Sequence, residues 1–381
     1  MIKLLIIDEN EEHRFFLRHL FLNENKVLKD FGFKEKFEVY EAKNAFEGVK
    51  MAQYIEPNVV ILEEKLSELD GVEVCRKIKK FKKNSNIPII FLTTINDLNI
   101  KENAFKAGAS DYIIKPAHPY ELLIRVKRHL DFYITQRKLK YSIESYEKDL
   151  RIARKVQRNL LPKFKKLNDM LFDYIYIPSH NTSGDMLEVI PIDKNKIFAY
   201  VYDISGHGVT SALLSIIVKQ EIDYIIKSSK THNLKDIMLE LEKNIKEYFF
   251  DGVYFTGIFS IIYKNKIEYI NLAHREIIFL KENNIEIDSK TNFPAGIGLI
   301  DENNLNIKTR EFDKDTFIIF YTDGILDVEH FDEKKLYETL ISKKFNTPEE
   351  VTDRLKNILN ILLDWNFPED DITVLVLKQE E

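Results

Sequence analysis

Cysteine is almost absent: Cys75 is the single one in 381 residues, which excludes a disulfide framework and a thiolate zinc site. Basic excess is absent too. Lys+Arg number 56 against Asp+Glu 62, a net charge of −6, so the chain lacks the positive surplus that phosphate-backbone binding needs and no nucleic acid is expected as its main partner. No apolar run approaches the ~18 residues of a membrane span, and no membrane association is expected. The opening run Met1–Asp8 has only four consecutive apolar residues before Asp8 and Glu9 end it, too few for a signal peptide. These absences together predict a cytoplasmic protein. Disorder is excluded by a hydrophobic content of 44% with 12% aromatics, and the length predicts two or three domains.

The first ~120 residues alternate short apolar runs with helical stretches, the pattern of βαβ units around a parallel sheet. Strands are expected at Leu4–Ile7, Glu38–Tyr40, Val59–Leu62, Ile89–Leu92 and Tyr112–Ile114, with helical spacing at Phe15, Leu17, Leu20 and Phe21 and again at Val74, Ile78 and Phe81. Open sheets of this kind carry their chemistry at the carboxyl ends of the strands. Asp8 and Glu9, Glu63, Thr93 and Lys115-Pro116 all follow strands, so they collect at one edge. Glu64 is expected to point to the other face by strand alternation.

With these residues, and with Asp70-Gly71 and Tyr112, residues 1–130 resemble a response-regulator receiver domain. The resemblance implies a pocket of Asp8, Glu9, Glu63, Thr93 and Lys115, with a Mg2+ on the acidic pair. It also implies a phosphoacceptor aspartate where this chain has Glu63. One added methylene displaces the carboxylate by up to about 1.5 Å, so in-line phosphoryl transfer at Glu63 is not expected. Two readings stay open: a fixed negative charge that partly mimics phosphate, and a receiver kept for folding or pairing.

Proline and glycine are both missing between Pro119 and Pro162, and the residues there favour helix. Leu139, Ile143, Tyr146, Leu150, Ala153, Gln157 and Leu160 alternate steps of four and three, a heptad seam that predicts a coiled coil and a homodimer, with Gln157 as a polar residue setting register. The basic stretch from Arg151 to Lys166 reads as a solvated helix face.

The remaining ~220 residues hold β-rich runs at Asp173–Ile177, Glu188–Ile192, Lys196–Asp203, Thr256–Tyr263, Lys266–Leu272, Glu276–Lys281, Thr316–Thr322 and Ile372–Leu377, with helices expected after Gly208 and at Leu234–Phe249, Phe331–Leu340 and Pro348–Leu363. This predicts an α+β layered domain. Acids recur at its strand ends: Asp185 after Ser183-Gly184, Asp203 in Asp-Ile-Ser-Gly-His-Gly, Asp323 in Tyr-Thr-Asp-Gly, and the pair Asp370-Asp371. Carboxylates gathered at one place need cations to offset their repulsion, and oxygen donors without thiolate suit Mg2+ or Mn2+. Two such ions can activate a water and polarise a phosphoryl group.

Residues 153–378 resemble the PPM serine/threonine phosphatases, in their SpoIIE-like branch. The resemblance is carried by Ala153 to Gln157 with Leu160-Leu-Pro162, Ser183-Gly-Asp185, Asp203 to Gly208, Asn271-Leu-Ala-His274, Tyr321-Thr-Asp-Gly324 and Asp370-Asp-Ile-Thr373. It implies two Mn2+ or Mg2+ ions bridged by Asp203, with the Ile204 carbonyl, Asp323, Asp370 and Asp185 as further ligands and metal-bound water as nucleophile. His207 is a candidate general acid, with the capping of a glycine-rich turn as the alternative. Ser183 and Ala273 depart from the family's glycines without removing a ligand.

The whole chain therefore reads as a five-stranded α/β receiver (1–120), a helical linker (121–162) and an α+β phosphatase domain (163–381), a β-sandwich flanked by helices. The resemblance implies a phosphorylated STAS-type anti-sigma-factor antagonist as substrate. The alternative is an adaptor that binds a sigma-factor regulator without hydrolysis.

Overall fold

The computed structural model describes the chain apart from residues 23–25, 95–97, 207, 229–232, 251, 283, 365 and 381. It divides into two compact units, Met1–Ser145 and Tyr146–Glu381.

The first unit runs β1 (Ile2–Ile7), α1 (Glu11–Leu22), α2 (Lys26–Asp30), β2 (Phe37–Ala42), α3 (Ala45–Ile55), β3 (Val59–Glu63), α4 (Gly71–Lys80), β4 (Ile89–Thr93), α5 (Leu98–Lys106) and β5 (Asp111–Ile114). Its strands form one parallel sheet in the order β2-β1-β3-β4-β5. Near-continuous apolar strands such as Ile-Ile-Phe-Leu in β4 suit a sheet buried on both faces, and two cores flank it, one around Leu5, Val60 and Phe91 and the other around Leu4, Ile61 and Ile90. Asn44 and Asp70 cap α3 and α4 by accepting the Glu47 and Val72 amides. Cys75 is buried in the first core, where burial pushes its thiol up to about 11, so it is no nucleophile.

The helix α6 spans Pro119–Leu160, 42 residues without interruption, starting with the proline whose missing N–H costs nothing at a first helical position. Among the described residues no helix is long and apolar enough to cross a membrane.

The second unit continues with β6 (Lys166–Leu167), β7 (Met170–Ile177), β8 (Met186–Pro191), β9 (Lys196–Ile204), α7 (Val209–Ser228), α8 (Leu234–Ile245), β10 (Phe255–Tyr263), β11 (Lys266–Leu272), β12 (Ile277–Lys281), β13 (Asn284–Asp288), β14 (Lys308–Glu311), β15 (Thr316–Tyr321), α9 (Glu333–Ile341), α10 (Pro348–Leu363) and β16 (Ile372–Gln379). Two antiparallel sheets, β14-β11-β10-β9-β8 and β13-β12-β15-β16-β7-β6, enclose a core that includes Phe198, Tyr200, Phe259, Phe320 and Leu375. Helices α7 and α8 cover the first sheet, while α9 and α10 pack with Ile319, Val374 and Val376 of the second. Three strands have no counterpart in the expectation, β6, β13 and β14; they are short edge strands, β6 and β14 without apolar alternation and β13 with only Ile285 and Ile287 to mark it.

Candidate functional site

Four chain segments converge at one end of the second unit. β9 delivers Asp203, paired across the ladder with Thr256 of β10. Asp185 immediately precedes β8, Asp323 follows β15 by two residues, and Asp370 leads into β16. Their approach depends on two glycines. A Cβ on Gly184 would lie 2.9 Å from the Ile204 carbonyl oxygen and 3.3 Å from Asp203 Oδ1, and one on Gly324 would lie 2.1 Å from the Asp371 carbonyl oxygen. No side chain fits at either place.

Asp185 is fully buried. One carboxylate oxygen accepts the Thr322 hydroxyl at 2.9 Å, and Thr322 Oγ1 in turn accepts the Thr373 amide at 2.9 Å. The other, Oδ1, is buried without a partner. Burial, and then the charges of Asp203 and Asp371, push the Asp185 carboxyl well above the carboxylate range. Burial together with Asp323 and Asp370 pushes Asp203 up to about 8. Asp370 is raised by burial and by Asp323. Buried like charges that raise one another in this way stand in an environment that lacks positive charge.

The structure separates the adjacent acids Asp370 and Asp371. Asp371 accepts the Ser179 amide at 2.6 Å, the Ser179 hydroxyl at 2.8 Å and the Gly184 amide at 2.8 Å; it fixes the loop that carries Asp185, a role sequence patterning did not assign. Asp327 was also missed. Burial and the field of Asp323 raise its carboxyl, placing a further acid beside the group. His274 is buried, with Nδ1 2.8 Å from Thr256 Oγ1, and burial lowers it to about 4, so it is neutral at pH 7. His207 lies outside the described residues.

Among the described residues no three acid or imidazole ligand atoms of this unit lie within 4.8 Å of one another. The acids stand in each other's field and are not drawn into a tight shell. An orphaned buried carboxylate oxygen, mutually raised carboxyls and an all-oxygen donor set fit hard divalent cations.

Gln157, read from the heptad pattern as a coiled-coil residue, is corrected by the structure. It is 2% exposed; its amide donates to the Ser183 carbonyl at 2.8 Å and to Ser215 Oγ at 3.2 Å, and its oxygen accepts the Ser183 amide at 3.1 Å. The end of α6 is thus bonded to the Ser183-Gly184-Asp185 loop. Replacing Gln157 by Leu leaves the Ser183 amide and carbonyl without these partners, and is expected to lower stability by about 1–3 kcal/mol in a urea titration; an unchanged midpoint would count against this anchoring.

The receiver pocket is also rearranged relative to expectation. Lys115 pairs with Glu63, and with Asp8 at 3.2 Å. Glu9 turns aside, accepting the amide and hydroxyl of Ser67, each at 2.7 Å. Thr93 donates its hydroxyl to Glu64, not to Glu63. Glu64 is 4% exposed: β3 ends at Glu63, so alternation no longer dictates where the next side chain points.

A family model described as response regulator receiver domain matches residues 4–127, and one described as stage II sporulation protein E (SpoIIE) matches residues 193–380. The transcriptional regulatory protein SrrA of Staphylococcus aureus is 32% identical over 125 residues, which is 33% of this chain and 46% of that protein. The chain thus spans about half the length of this relative. The PP2C domain of SiaA from Pseudomonas aeruginosa superposes with a TM-score of 0.54 at 15% identity, covering 63% of this chain and 99% of that domain, which shows a common fold. The PP2C phosphatase domain of SpoIIE from Bacillus subtilis, with a fragment of its regulatory domain, gives 0.49 at 19% identity over 55% of this chain and 62% of that one.

Proposed function

We infer that this chain, a receiver domain joined to a SpoIIE-type domain of PP2C fold, is a metal-dependent phosphoprotein phosphatase acting on phosphoserine or phosphothreonine. The observation that carries the reading is the convergence of Asp185, Asp203, Asp323 and Asp370 from four strand ends, with Asp185 Oδ1 buried and unpartnered. Mg2+ or Mn2+ held by these carboxylates and the Ile204 carbonyl would supply activation of the attacking water and neutralisation of phosphoryl charge. The chain's own part is positional. Thr322 orients Asp185, Asp371 pins the Ser179 and Gly184 amides, and the buried neutral His274 steadies Thr256 opposite Asp203. No cysteine is placed to form a covalent intermediate, since Cys75 lies in the core of the other unit.

The substrate we propose is a phosphorylated STAS-type anti-sigma-factor antagonist. Manganese-dependent hydrolysis of p-nitrophenyl phosphate by the purified chain, followed by release of phosphate from a phosphoserine form of such a protein, tests both levels. No hydrolysis of either would favour an adaptor that binds its regulator without catalysis.

A homodimer through α6 is part of the proposal. Leu139, Ile143 and Tyr146 are 60%, 48% and 58% exposed and follow heptad spacing, so a second helix has apolar surface to cover. Ile143→Glu is expected to convert dimer to monomer in light scattering at tens of micromolar, roughly the range of a weak association. A monomeric unmodified chain under the same conditions would refute it.

A further inference from the structure

Two consecutive glutamates divide the receiver's polar groups between them. The Lys115 ammonium pairs with Glu63 and lies 3.2 Å from Asp8 Oδ2 and 3.0 Å from His13 Nδ1. Asp8, His13 and Glu63 are also the one group among the described residues whose ligand atoms lie within 4.8 Å of one another. The cation that such a cluster attracts is therefore already present, on a side chain that is only 13% exposed.

One residue further on, Glu64 Oε2 accepts the Thr93 hydroxyl and stands 3.4 Å from the Tyr112 hydroxyl. All three residues are buried. The Glu64 backbone is held on both sides: its amide donates to the Leu92 carbonyl at 3.3 Å and its carbonyl accepts the Gly71 amide at 2.8 Å. A Cβ on Gly71 would come within 2.6 Å of the Glu63 carbonyl oxygen and 2.8 Å of that of Glu64, so α4 begins hard against this turn. A buried carboxyl group in a water-poor site loses much if the donors that satisfy it leave.

We propose that Glu63 and Glu64 set the receiver in a single conformation, with Lys115 as its resident cation and Thr93 and Tyr112 tied to Glu64, so that the pocket takes neither a phosphoryl group nor a divalent ion. Phosphorylation would require a Glu63 oxygen to leave Lys115, bond to the donor's phosphorus and expel acetate from acetyl phosphate, while Thr93 abandoned Glu64. The receiver then serves as a fixed structural input, whatever the second unit catalyses.

The test is hydrogen–deuterium exchange and intact mass on the full chain, neither of which depends on phosphatase activity. Acetyl phosphate with Mg2+ should leave the mass unchanged, and beryllofluoride with Mg2+ should leave exchange in residues 8–13, 89–93 and 111–114 unchanged. Glu64→Leu, which removes the acceptor, should speed exchange in residues 89–93 and 111–114 by about 10-fold, the scale of a lost buried hydrogen bond. Thr93→Val, which removes the donor, should do the same and serves if the Leu variant folds poorly. The double variant Glu63→Asp with Glu64→Leu should gain a phosphoryl group from acetyl phosphate at least about 10-fold faster than Glu63→Asp alone, because Glu64 no longer holds the Thr93 hydroxyl. A phosphoryl gain or a Mg2+-dependent change of exchange in the unmodified chain overturns the proposal. So does wild-type exchange in both single variants, or equal phosphorylation of the double and single variants.

Discussion

Asp203→Asn is expected to reduce Mn2+-dependent hydrolysis of p-nitrophenyl phosphate by on the order of 10³-fold, the scale at which loss of a preorganised charged group acts on a phosphoryl or acyl transition state. The same change is expected to stabilise the metal-free chain. Asp203 is pushed up to about 8 by burial and by Asp323 and Asp370, against an ordinary aspartate value near 4. The folded chain therefore binds a proton more tightly than the unfolded chain does. The associated stability is fully present below about pH 4 and is lost as pH rises through about 8. In EDTA the wild-type melting temperature should fall across that window, and Asp203→Asn should melt higher than wild type at pH 8. Saturating Mn2+ should raise the wild type and leave the Asn variant nearly unmoved. Undiminished hydrolysis in the manganese-replete variant would refute the metal-centre reading, and a variant less stable than wild type in EDTA would refute the account of repulsion.

Gly324→Ala is the second large effect. The added methyl carbon would sit 2.1 Å from the Asp371 carbonyl oxygen and 2.8 Å from its carbonyl carbon. Both are backbone atoms of the segment entering β16, so no side-chain rotation relieves the clash. A loss of about 3 kcal/mol or more is expected, together with loss of activity, since Asp323 and Asp370 must separate. Gly206→Ala is the control: its φ is +91°, but no atom lies within 4 Å of the added carbon, so the cost should be only about 1 kcal/mol of backbone strain. Similar urea midpoints for the two variants would contradict the close approach.

The strands that carry the sites were legible because their apolar runs are dense: the first sheet and the strands bearing Asp203 and Asp323 fall within one to two residues of their expected limits. The strand-end placement of the four acids could be read from their surroundings: Asp185 follows Gly184, Asp323 precedes Gly324, Asp370 stands beside Asp371, and Asp203 closes an apolar run with Gly206 three residues on. What patterning could not resolve was which of two neighbouring carboxylates does what. Asp371, not Asp370, binds the Ser179 and Gly184 amides, and Glu64, not Glu63, receives Thr93. In both pairs a residue next to a strand terminus is placed by the turn and not by the strand period. Gln157 failed differently. A heptad position states that a side chain is covered but not by what, and its cover is Ser183 and Ser215 of its own unit. The polar edges β13 and β14 were missed because they bury little.

The strand β16 lies inside its sheet, between β15 and β7, although it comes last in sequence among the described strands. Residues 372–379 therefore close a sheet whose other strands were synthesised long before, with β7 some two hundred positions earlier. A nascent polypeptide lacking them would expose two unpaired strand edges at once, and it would also lack the ladder that draws Thr373 onto Thr322. The acid cluster thus cannot assemble before residues 372–379 are in place, and chains truncated ahead of them should be prone to association through those open edges. In chains stalled on the ribosome through an added C-terminal extension, protease resistance of the second unit should appear abruptly once the extension is long enough to bring this strand out of the exit tunnel.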